Sequence, residues 1–308
     1  MNNPGRELAQ VASCYFCGCV AKKSKRRRTL FFKELRMYYF CRECGTFSLY
    51  PKLQDIDFET LYSSSYIEKV SNSDQIEKES DRFKSLKNFL RNINYSSEKN
   101  FLDYGCGATG ELLIFATSIG FTSVGVEVEA STREMATLNS RTPVIDPEEF
   151  AKIDQKFDVI FLGDVLEHVN NPGEILKDIY VHLKPNGFLF IQGPLESAAT
   201  LTNRLVELKS IFLHGTRVEF PPYHVTLSKL NSLRKILSAN GFLLYTCSVE
   251  EVWWPASKSS LMHPFRNPAA WSLAAAKSID RGISVLLPKY GTRFEIVCQV
   301  NPTKLSRG

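Results

Sequence analysis

The sequence lacks any run of about 18 uncharged apolar residues, the length a membrane-crossing helix needs. Its polar start, Met1–Gln10, lacks the apolar core of a secretory signal peptide. With 17 Gly and 14 Pro, both near average use, it is no low-complexity chain. Hydrophobic residues make up 44% and charged residues 23%, which excludes a disordered or fibrous protein. We therefore expect a cytoplasmic globular protein, and a net charge of +5 permits phosphate-bearing partners without requiring them.

Four of the eight cysteines form two close pairs, and a chain of 308 residues has room for a small appendage beside one large α/β domain. In a reducing compartment such pairs favour a metal site over disulfides. Four thiolates fill a tetrahedral shell, so the ion is expected to be a structural zinc. The predicted ligands are Cys14, Cys17, Cys41 and Cys44. We predict a zinc ribbon over residues 1–50, with strands near Leu30–Phe32 and Met37–Phe40.

A basic segment, Lys22–Arg28, lies between the two cysteine pairs. It favours either a phosphate-binding finger, for RNA, nucleotide-sugars or lipid headgroups, or a solvated hairpin tip. No aromatic residue interleaves its charges, so it lacks the stacking platform of single-stranded RNA readers.

Residues 51–74 are predicted to be a connector to an α/β domain over 75–308, which opens with a helix over Asp74–Ile93. Apolar stretches then predict strands at 99–104, 122–127, 157–162, 187–192, 242–249 and 293–300. Helices are predicted at 110–119, 130–139, 172–183 and 227–240. Such alternation indicates a mostly parallel sheet with helices on both faces.

The segment Phe101–Glu111 runs from an apolar strand through Gly-x-Gly-x-x-Gly into a helix, a turn that lets a ligand approach the backbone closely. Glu127 ends the next strand about 20 residues on, where a carboxylate can hold ribose hydroxyls. A nicotinamide dinucleotide would fit this pattern equally well. However, its pyrophosphate favours a bare helix N-terminus, whereas Asp103 and Glu111 flank the turn. These acids favour S-adenosylmethionine (SAM), which carries an ammonium and a sulfonium.

The sequence resembles the class I SAM-dependent methyltransferases. The resemblance rests on motifs in the family's order: Leu102–Gly107, Gly125–Glu127, Phe157–Ile160, Asp164–Val169 and Leu183–Leu189. It implies a Rossmann-like seven-stranded sheet whose last strand, around Phe294–Cys298, is antiparallel. The ribbon followed by Thr46–Pro51 also resembles a subgroup with an N-terminal zinc ribbon, often linked to sugar or polysaccharide pathways.

The resemblance also implies roles for individual residues. Asp103, Gly105, Gly107 and Gly110 belong to the cofactor turn, Glu127 would contact the ribose and Asp146 the adenine, and Gly163 and Asp164 would line the cleft beside the donor methyl. Glu167 in some relatives binds a divalent ion and in others only ties down its loop, and the same choice applies to the adjacent His168. His224 precedes a predicted helix, either as the base for a hydroxyl or as a cap. Catalytic roles are accordingly predicted for Asp164, His168 and His224.

Two segments outside the common core, near 194–226 and 251–290, are predicted to form a lid over the acceptor, the first with a helix over Ala198–Phe212. The aromatic residues of the second, with Trp253, Trp254, Phe265 and Trp271 among them, either stack on a sugar or pack the lid. The favoured acceptor is a small molecule, a sugar or nucleotide-sugar hydroxyl. An RNA methyltransferase that docks through Lys22–Arg28 and a non-catalytic SAM-binding protein are the alternatives. Gly163–Leu166 stands where amino-methylating enzymes of nucleic acids carry Pro-Pro-Tyr, which counts against that subclass.

Overall fold

The computed structural model describes residues 11–31, 34–54, 83–93, 98–195, 200–214, 217–219, 224–251, 268–287 and 289–301. Its central element is a seven-stranded sheet. The strands are β5 (Asn100–Tyr104), β6 (Thr122–Val126), β7 (Val144–Ile145), β8 (Phe157–Gly163), β9 (Leu183–Pro194), β12 (Phe242–Glu250) and β13 (Arg293–Val300). They lie in the order β12-β13-β9-β8-β5-β6-β7. The strands β5 to β9 are parallel, and β13 is antiparallel to both of its neighbours.

The middle strands have nearly continuous apolar sequences because helices cover both faces of the sheet. In β8, Phe157, Val159, Ile160 and Leu162 are all fully buried, so neighbouring residues that point to opposite faces both enter a core. The strand order reverses between β5 and β8, because β6 and β7 extend to one side and β9 to the other. Ligands of such sheets bind at this reversal, outside the carboxyl ends of the strands.

Helices follow most of these strands. They are α1 (Lys84–Asn92), α2 (Glu111–Ser118), α3 (Ala130–Ser140), α4 (Pro147–Phe150), α5 (Pro172–His182), α6 (Leu201–His214), α7 (Leu230–Ala239) and α8 (Pro268–Leu286). In α1, Leu86 and Leu90 are four residues apart and buried, as expected for one apolar face of a helix. In α7, Leu233, Ile236 and Leu237 are buried in the same way.

The two helices outside the common core, α6 and α8, are joined by a carboxylate. Both oxygens of Asp280 in α8 accept backbone N–H groups at the start of α6, from Leu201 at 2.8 Å and from Thr202 at 2.7 Å. Asp280 is fully buried and also accepts the Tyr290 hydroxyl. It satisfies amides that a helix N-terminus leaves open, so a residue of one helix caps the other.

A second sheet contains the cysteine pairs. Its strands are β1 (Val11–Ser13), β2 (Val20–Phe31), β3 (Glu34–Cys41) and β4 (Phe47–Tyr50), in that order. Two short strands from the larger sheet's half of the chain complete it. The strand β10 (Arg217–Glu219) is parallel to β2, and β11 (Thr226–Leu227) is antiparallel to β4. The two sheets are therefore connected by backbone hydrogen bonds as well as by side-chain packing.

The predicted fold class is confirmed. In the larger sheet the strands differ from their predicted bounds mainly at β9, which begins four residues early at Leu183. The strand predicted at Leu30–Phe32 is the longer β2, which begins at Val20. Other details also differ from the sequence predictions. The strand β7 was not predicted, because two residues carry no periodicity. The helix predicted over 227–240 begins at Leu230, since residues 226–227 pair with β4. The segment Lys22–Arg28 is not a hairpin tip, because it lies inside β2.

Some predictions fall outside the described residues: most of the connector, the first turns of the Asp74–Ile93 and Ala198–Phe212 helices, and the aromatic residues Trp253, Trp254 and Phe265. The side chains of 25–31 and of Trp271 are also outside the description. Among the helices that are described, none is long and apolar enough to cross a membrane.

Candidate active site

The candidate site lies at one edge of the seven-stranded sheet. Parallel strands end at the same edge, which brings together the residues after β5, β6, β8 and β9. The antiparallel β13 begins at this edge, where Arg293 pairs with Pro194 at the end of β9. Sequence positions far apart therefore converge on one edge of the sheet.

The glycine-rich turn after β5 has the backbone that its residues require. Gly105 and Gly107 have φ values of 85° and 61°, which only glycine adopts without strain. A Cβ atom at Gly105 would lie 2.7 Å from Cγ2 of Val165, so this glycine lets the turn after β5 pack against the loop after β8. A Cβ atom at Gly107 would meet no atom of the described chain within 4 Å. Gly107 thus faces open space, as a turn that receives a ligand must.

Glu127 holds this turn from the end of β6. Its Oε2 accepts the backbone N–H of Gly107 at 3.1 Å, and its Oε1 accepts that of Val128 at 2.9 Å. Burial raises the pKa of Glu127, and these two N–H groups oppose the shift because they favour the charged form. The carboxylate therefore lies beside the open space above Gly107, and its contact with a ribose stays a prediction.

The acidic surroundings of the turn differ in part from the sequence argument. Asp103 is buried at the end of β5 with 3% exposure. The pKa of the Cys106 thiol is raised by burial and by the nearby charges of Asp103 and Glu127. Glu111, however, forms an ion pair with Lys87 of α1, which compensates its charge. The argument from Glu111 against a pyrophosphate is therefore weaker than expected, and it rests on Asp103.

Asp146 caps the short helix α4, in addition to its predicted contact with adenine. Its Oδ1 accepts the N–H of Glu149 at 2.8 Å and caps α4. This bond is the main cause of the lowered pKa of Asp146. Contact with adenine stays a prediction.

On the other side of the cleft, Asp164 follows β8 with a φ of 53°. Its N–H donates to the carbonyl of Gln192 in β9 at 3.0 Å. The guanidinium of Arg293 lies across from it, with Nη2 at 2.9 Å from both carboxylate oxygens. The ring of Phe161 packs against Gly163, just before Asp164. A Cβ atom at Gly163 would lie 2.5 Å from that ring.

Glu167, His168 and His224 come together next to Asp164. The His168 and His224 rings are 4.8 Å apart between centroids, and Nε2 of His168 is 3.9 Å from Oε1 of Glu167. Burial raises the pKa of Glu167 to about 8, helped by the charge of Asp164 and opposed by His224. One ligand atom from each of the three side chains lies within 4.8 Å of the others, close enough for a single metal ion.

Three residues of this site were missed by the sequence analysis: Arg293, Gln192 and Tyr38. Arg293 could have been found, because the antiparallel strand predicted around it starts at the cleft edge. Tyr38 lies in β3 of the second sheet, which contains the cysteine pairs and is called the cysteine sheet from here on. Its hydroxyl donates to the carbonyl of His224 at 2.7 Å. Nothing local in the sequence indicates that contact.

The four predicted zinc ligands lie together at the end of the second sheet. The Sγ atoms of Cys14 and Cys44 are 3.5 Å apart, and those of Cys17 and Cys41 are 3.6 Å apart. All four lie within 4.8 Å of one another. A tetrahedral Zn²⁺ with Zn–S bonds of about 2.3 Å requires sulfur separations of about 3.8 Å. The donor set fits this ion.

Comparison with known proteins agrees with this geometry. The strand order, the antiparallel last strand and the glycine turn with its acidic partner define the class of SAM-dependent methyltransferases. Residues 76–246, more than half of the chain, match the family model described as "Methyltransferase domain". The chain therefore belongs to this family of methyltransferase domains.

The relatives share only part of their length with it. A ubiquinone biosynthesis O-methyltransferase from Histophilus somni is 35% identical over 117 residues, which cover 34% of this chain and 49% of that protein. One from Coxiella burnetii is 33% identical over 100 residues, which cover 30% of this chain and 42% of that protein. The chain thus spans about half the length of these curated relatives or less.

Among solved structures, magnesium protoporphyrin IX methyltransferase from Synechocystis PCC 6803, with bound SAH, has the same fold. It superposes with a TM-score of 0.54 at 14% identity and covers 80% of this chain and 100% of its own. At this identity the likeness concerns the fold alone.

We expect Gly107→Ala to bind SAM about ten-fold or more weakly, or about 1.4 kcal/mol, because the new methyl group occupies the space above the turn. Gly120→Ala is the matched control, since Gly120 also has a positive φ, 93°, and open space around it. Calorimetric titration of both variants with SAM measures the difference. Equal affinities would show that the cofactor does not use this space.

Proposed function

We propose that this enzyme transfers a methyl group from SAM to a hydroxyl oxygen of a small-molecule acceptor, with His224 as the base. The observation that carries the proposal is the position of His224. Its ring lies beside His168 and Glu167 in the loop that follows β8. Val165 of the same loop packs on Gly105 of the cofactor turn.

The cofactor contacts follow the geometry of the turn. Asp103, Gly105 and Gly107, in the turn that Gly110 closes, would contact the methionine part, and Glu127 the ribose. Asp146 would contact the adenine from the edge of the sheet. Gly163 and Asp164 would lie beside the donor methyl. The open space above Gly107 and the buried carboxylate of Asp103 support this arrangement.

When bound, SAM supplies a methyl group on a sulfonium, which is already an excellent leaving group. The chain then has to align the acceptor oxygen and exclude water, and such orientation accounts for much of the rate. His224 takes the hydroxyl proton as the oxygen bonds to carbon. Glu167 lies beside His224, and its ionised form would stabilise the imidazolium that forms. The ion pair between Arg293 and Asp164 fixes one wall of the acceptor site.

For the acceptor, the curated relatives are named as O-methyltransferases of ubiquinone biosynthesis, which supports a small molecule. The resemblance of the ribbon and Thr46–Pro51 to sugar-pathway methyltransferases favours a sugar or nucleotide-sugar. RNA is the second candidate, because the basic segment Lys22–Arg28 could bind its phosphates.

Labelling decides between these acceptors. Purified protein is incubated with methyl-labelled SAM and a cell extract, which is then separated into small-molecule, glycan, RNA and protein fractions. We expect label in the small-molecule or glycan fraction. Label in RNA would replace the sugar proposal with docking through Lys22–Arg28. A protein that binds SAM and labels no fraction would be the non-catalytic alternative.

Glu127→Ala is expected to bind SAM about 10- to 100-fold more weakly, because charged hydrogen bonds contribute about 1.5–3 kcal/mol. Glu127→Gln keeps one acceptor oxygen for the Gly107 amide and should lose less. Calorimetry with SAM gives both affinities, and circular dichroism checks that the variants fold. Unchanged affinity in Glu127→Ala would remove the ribose assignment.

His224→Ala should lower methyl transfer by about 100-fold or more and leave SAM affinity unchanged. The substitution keeps the His224 carbonyl and therefore its bond from Tyr38. The rate is measured with the labelled fraction as acceptor, with and without EDTA. Full activity would remove the base assignment. Activity that EDTA abolishes and Mg²⁺ restores would instead assign Glu167, His168 and His224 to a metal site.

We further propose that Cys14, Cys17, Cys41 and Cys44 bind one structural zinc ion, since four sulfur ligands leave no open coordination position. Elemental analysis should find about one zinc per chain in the wild type and in Cys19→Ser, because Cys19 is exposed and lies outside the cluster. Cys41→Ser should lose the zinc and unfold at lower denaturant concentration. Zinc retained at wild-type content in Cys41→Ser would contradict the assignment.

A further inference from the structure

The cysteine sheet contacts the backbone of the candidate base directly. Tyr38 of β3 is buried with 1% exposure, and its hydroxyl donates to the carbonyl of His224 at 2.7 Å. The next residue, Val225, is fully buried in a cluster with Tyr38, Leu49 and Leu227. His224 is therefore anchored through its main chain, while its ring contacts the ring of His168.

Backbone hydrogen bonds hold the residues after His224 on two sides. On one side, the N–H of Leu49 in β4 donates to the carbonyl of Val225 at 2.8 Å. On the other side, the N–H groups of Val225 and Thr226 donate to the carbonyl of Glu167, at 2.7 Å and 3.1 Å. The segment 224–227 thus lies between the cysteine sheet and the loop that carries Glu167 and His168.

The cysteines determine the geometry of the two strands that make these contacts. Cys41 ends β3 three residues after Tyr38. Its N–H donates to the carbonyl of Thr46 at 3.0 Å, and its carbonyl accepts the N–H of Gly45 at 2.9 Å. Cys44 lies inside this turn, and β4 begins at Phe47, where the turn ends. A metal ion that links Cys41 and Cys44 to the first pair therefore fixes β3 relative to β4.

The cofactor half of the site is held by other contacts. Glu127 bonds to Gly107 and Val128, and its carbonyl accepts from Arg133 of α3. The N–H groups of Gly105 and Cys106 donate to the carbonyl of Val126. All of these partners belong to the larger sheet and the helices on it, so a change in the cysteine sheet should reach the acceptor side first.

We propose that the cysteine sheet is a positioning element of the acceptor site, in which the Tyr38 hydroxyl and the β4–β11 pairing hold His224 and Glu167 in the arrangement that methyl transfer requires. Zinc bound to the four cysteines thereby controls turnover without controlling SAM binding. This inference rests on the proposed role of His224. Tyr38 is a positioning residue, because it contacts the backbone of His224 and not the reacting atoms.

The first test compares Tyr38→Phe with Tyr39→Phe. Tyr39 is equally buried in the same strand. It does not belong to the cluster that contains Tyr38, but packs into a hydrophobic core formed by residues of both sheets. Loss of the hydroxyl of Tyr38 should lower turnover about five-fold or more, the effect of losing one net hydrogen bond. The acceptor is the extract fraction that the wild-type protein labels, at saturating concentration. The SAM concentration for half-maximal rate should stay within two-fold (roughly the scatter of such comparisons), and Tyr39→Phe should keep wild-type turnover.

The second test needs no acceptor. Hydrogen–deuterium exchange is measured on the full chain as the zinc-bound wild type, as the zinc-stripped wild type and as both variants. We expect faster exchange at the amides of Leu49, Val225 and Thr226 in the stripped protein and in Tyr38→Phe. Peptides over 101–112 and 122–129 should exchange as in the zinc-bound wild type, and calorimetry should give unchanged SAM affinity.

The two tests separate this inference from the proposed function when His224→Ala is assayed in parallel. An inactive His224→Ala beside a fully active Tyr38→Phe, with unchanged exchange at 224–227, would overturn the positioning role and leave the base assignment standing. A fully active His224→Ala would overturn the base assignment, and the inference with it. Slower exchange at 101–112 on zinc binding, with tighter SAM binding, would overturn the separation of the two halves.

Discussion

The carbonyl oxygen of Glu167 is the point on which the proposed acceptor side of the site depends. It accepts the amides of both Val225 and Thr226, and through them it joins the loop after β8 to the strand that completes the cysteine sheet. Because these groups are buried, their hydrogen bonds are costly to leave unmade. The two sheets are separate in their strand pairing. These hydrogen bonds therefore fix their relative position at the place where the candidate catalytic side chains meet.

The site has two halves, which are built from different kinds of chain segments. The cofactor half is built from consecutive segments, since the turn at Gly105–Gly110 and Glu127 belong to one β-α-β unit. The acceptor half is built from four distant segments, including β3, the loop after β8, residues 224–227 and the start of β13. Local chemistry specifies the first half, and the packing of distant elements specifies the second.

The division explains what the sequence predicts. The glycine turn, Glu127 and the four cysteines were predictable, because each depends on spacing within a short segment. The strand β11 was not, because two residues become a strand only through pairing with β4. The placement of Lys22–Arg28 inside β2 and the ion pair between Glu111 and Lys87 likewise depend on partners that no local pattern contains. Tyr38 has no local signal at all, since its function comes from a contact with a residue 186 positions away.

The cap that Asp280 gives to α6 has a consequence for how such an enzyme can diversify. The helices α6 and α8 are far apart in the chain, yet the amides that begin α6 are satisfied by a side chain of α8. The two helices therefore depend on each other: recombination that brings in a foreign α6 without its α8 would leave the start of the helix without its cap and Asp280 buried without its amides. New acceptor specificities in this architecture should arise by exchange of both helices together, or by point substitutions that spare their shared carboxylate.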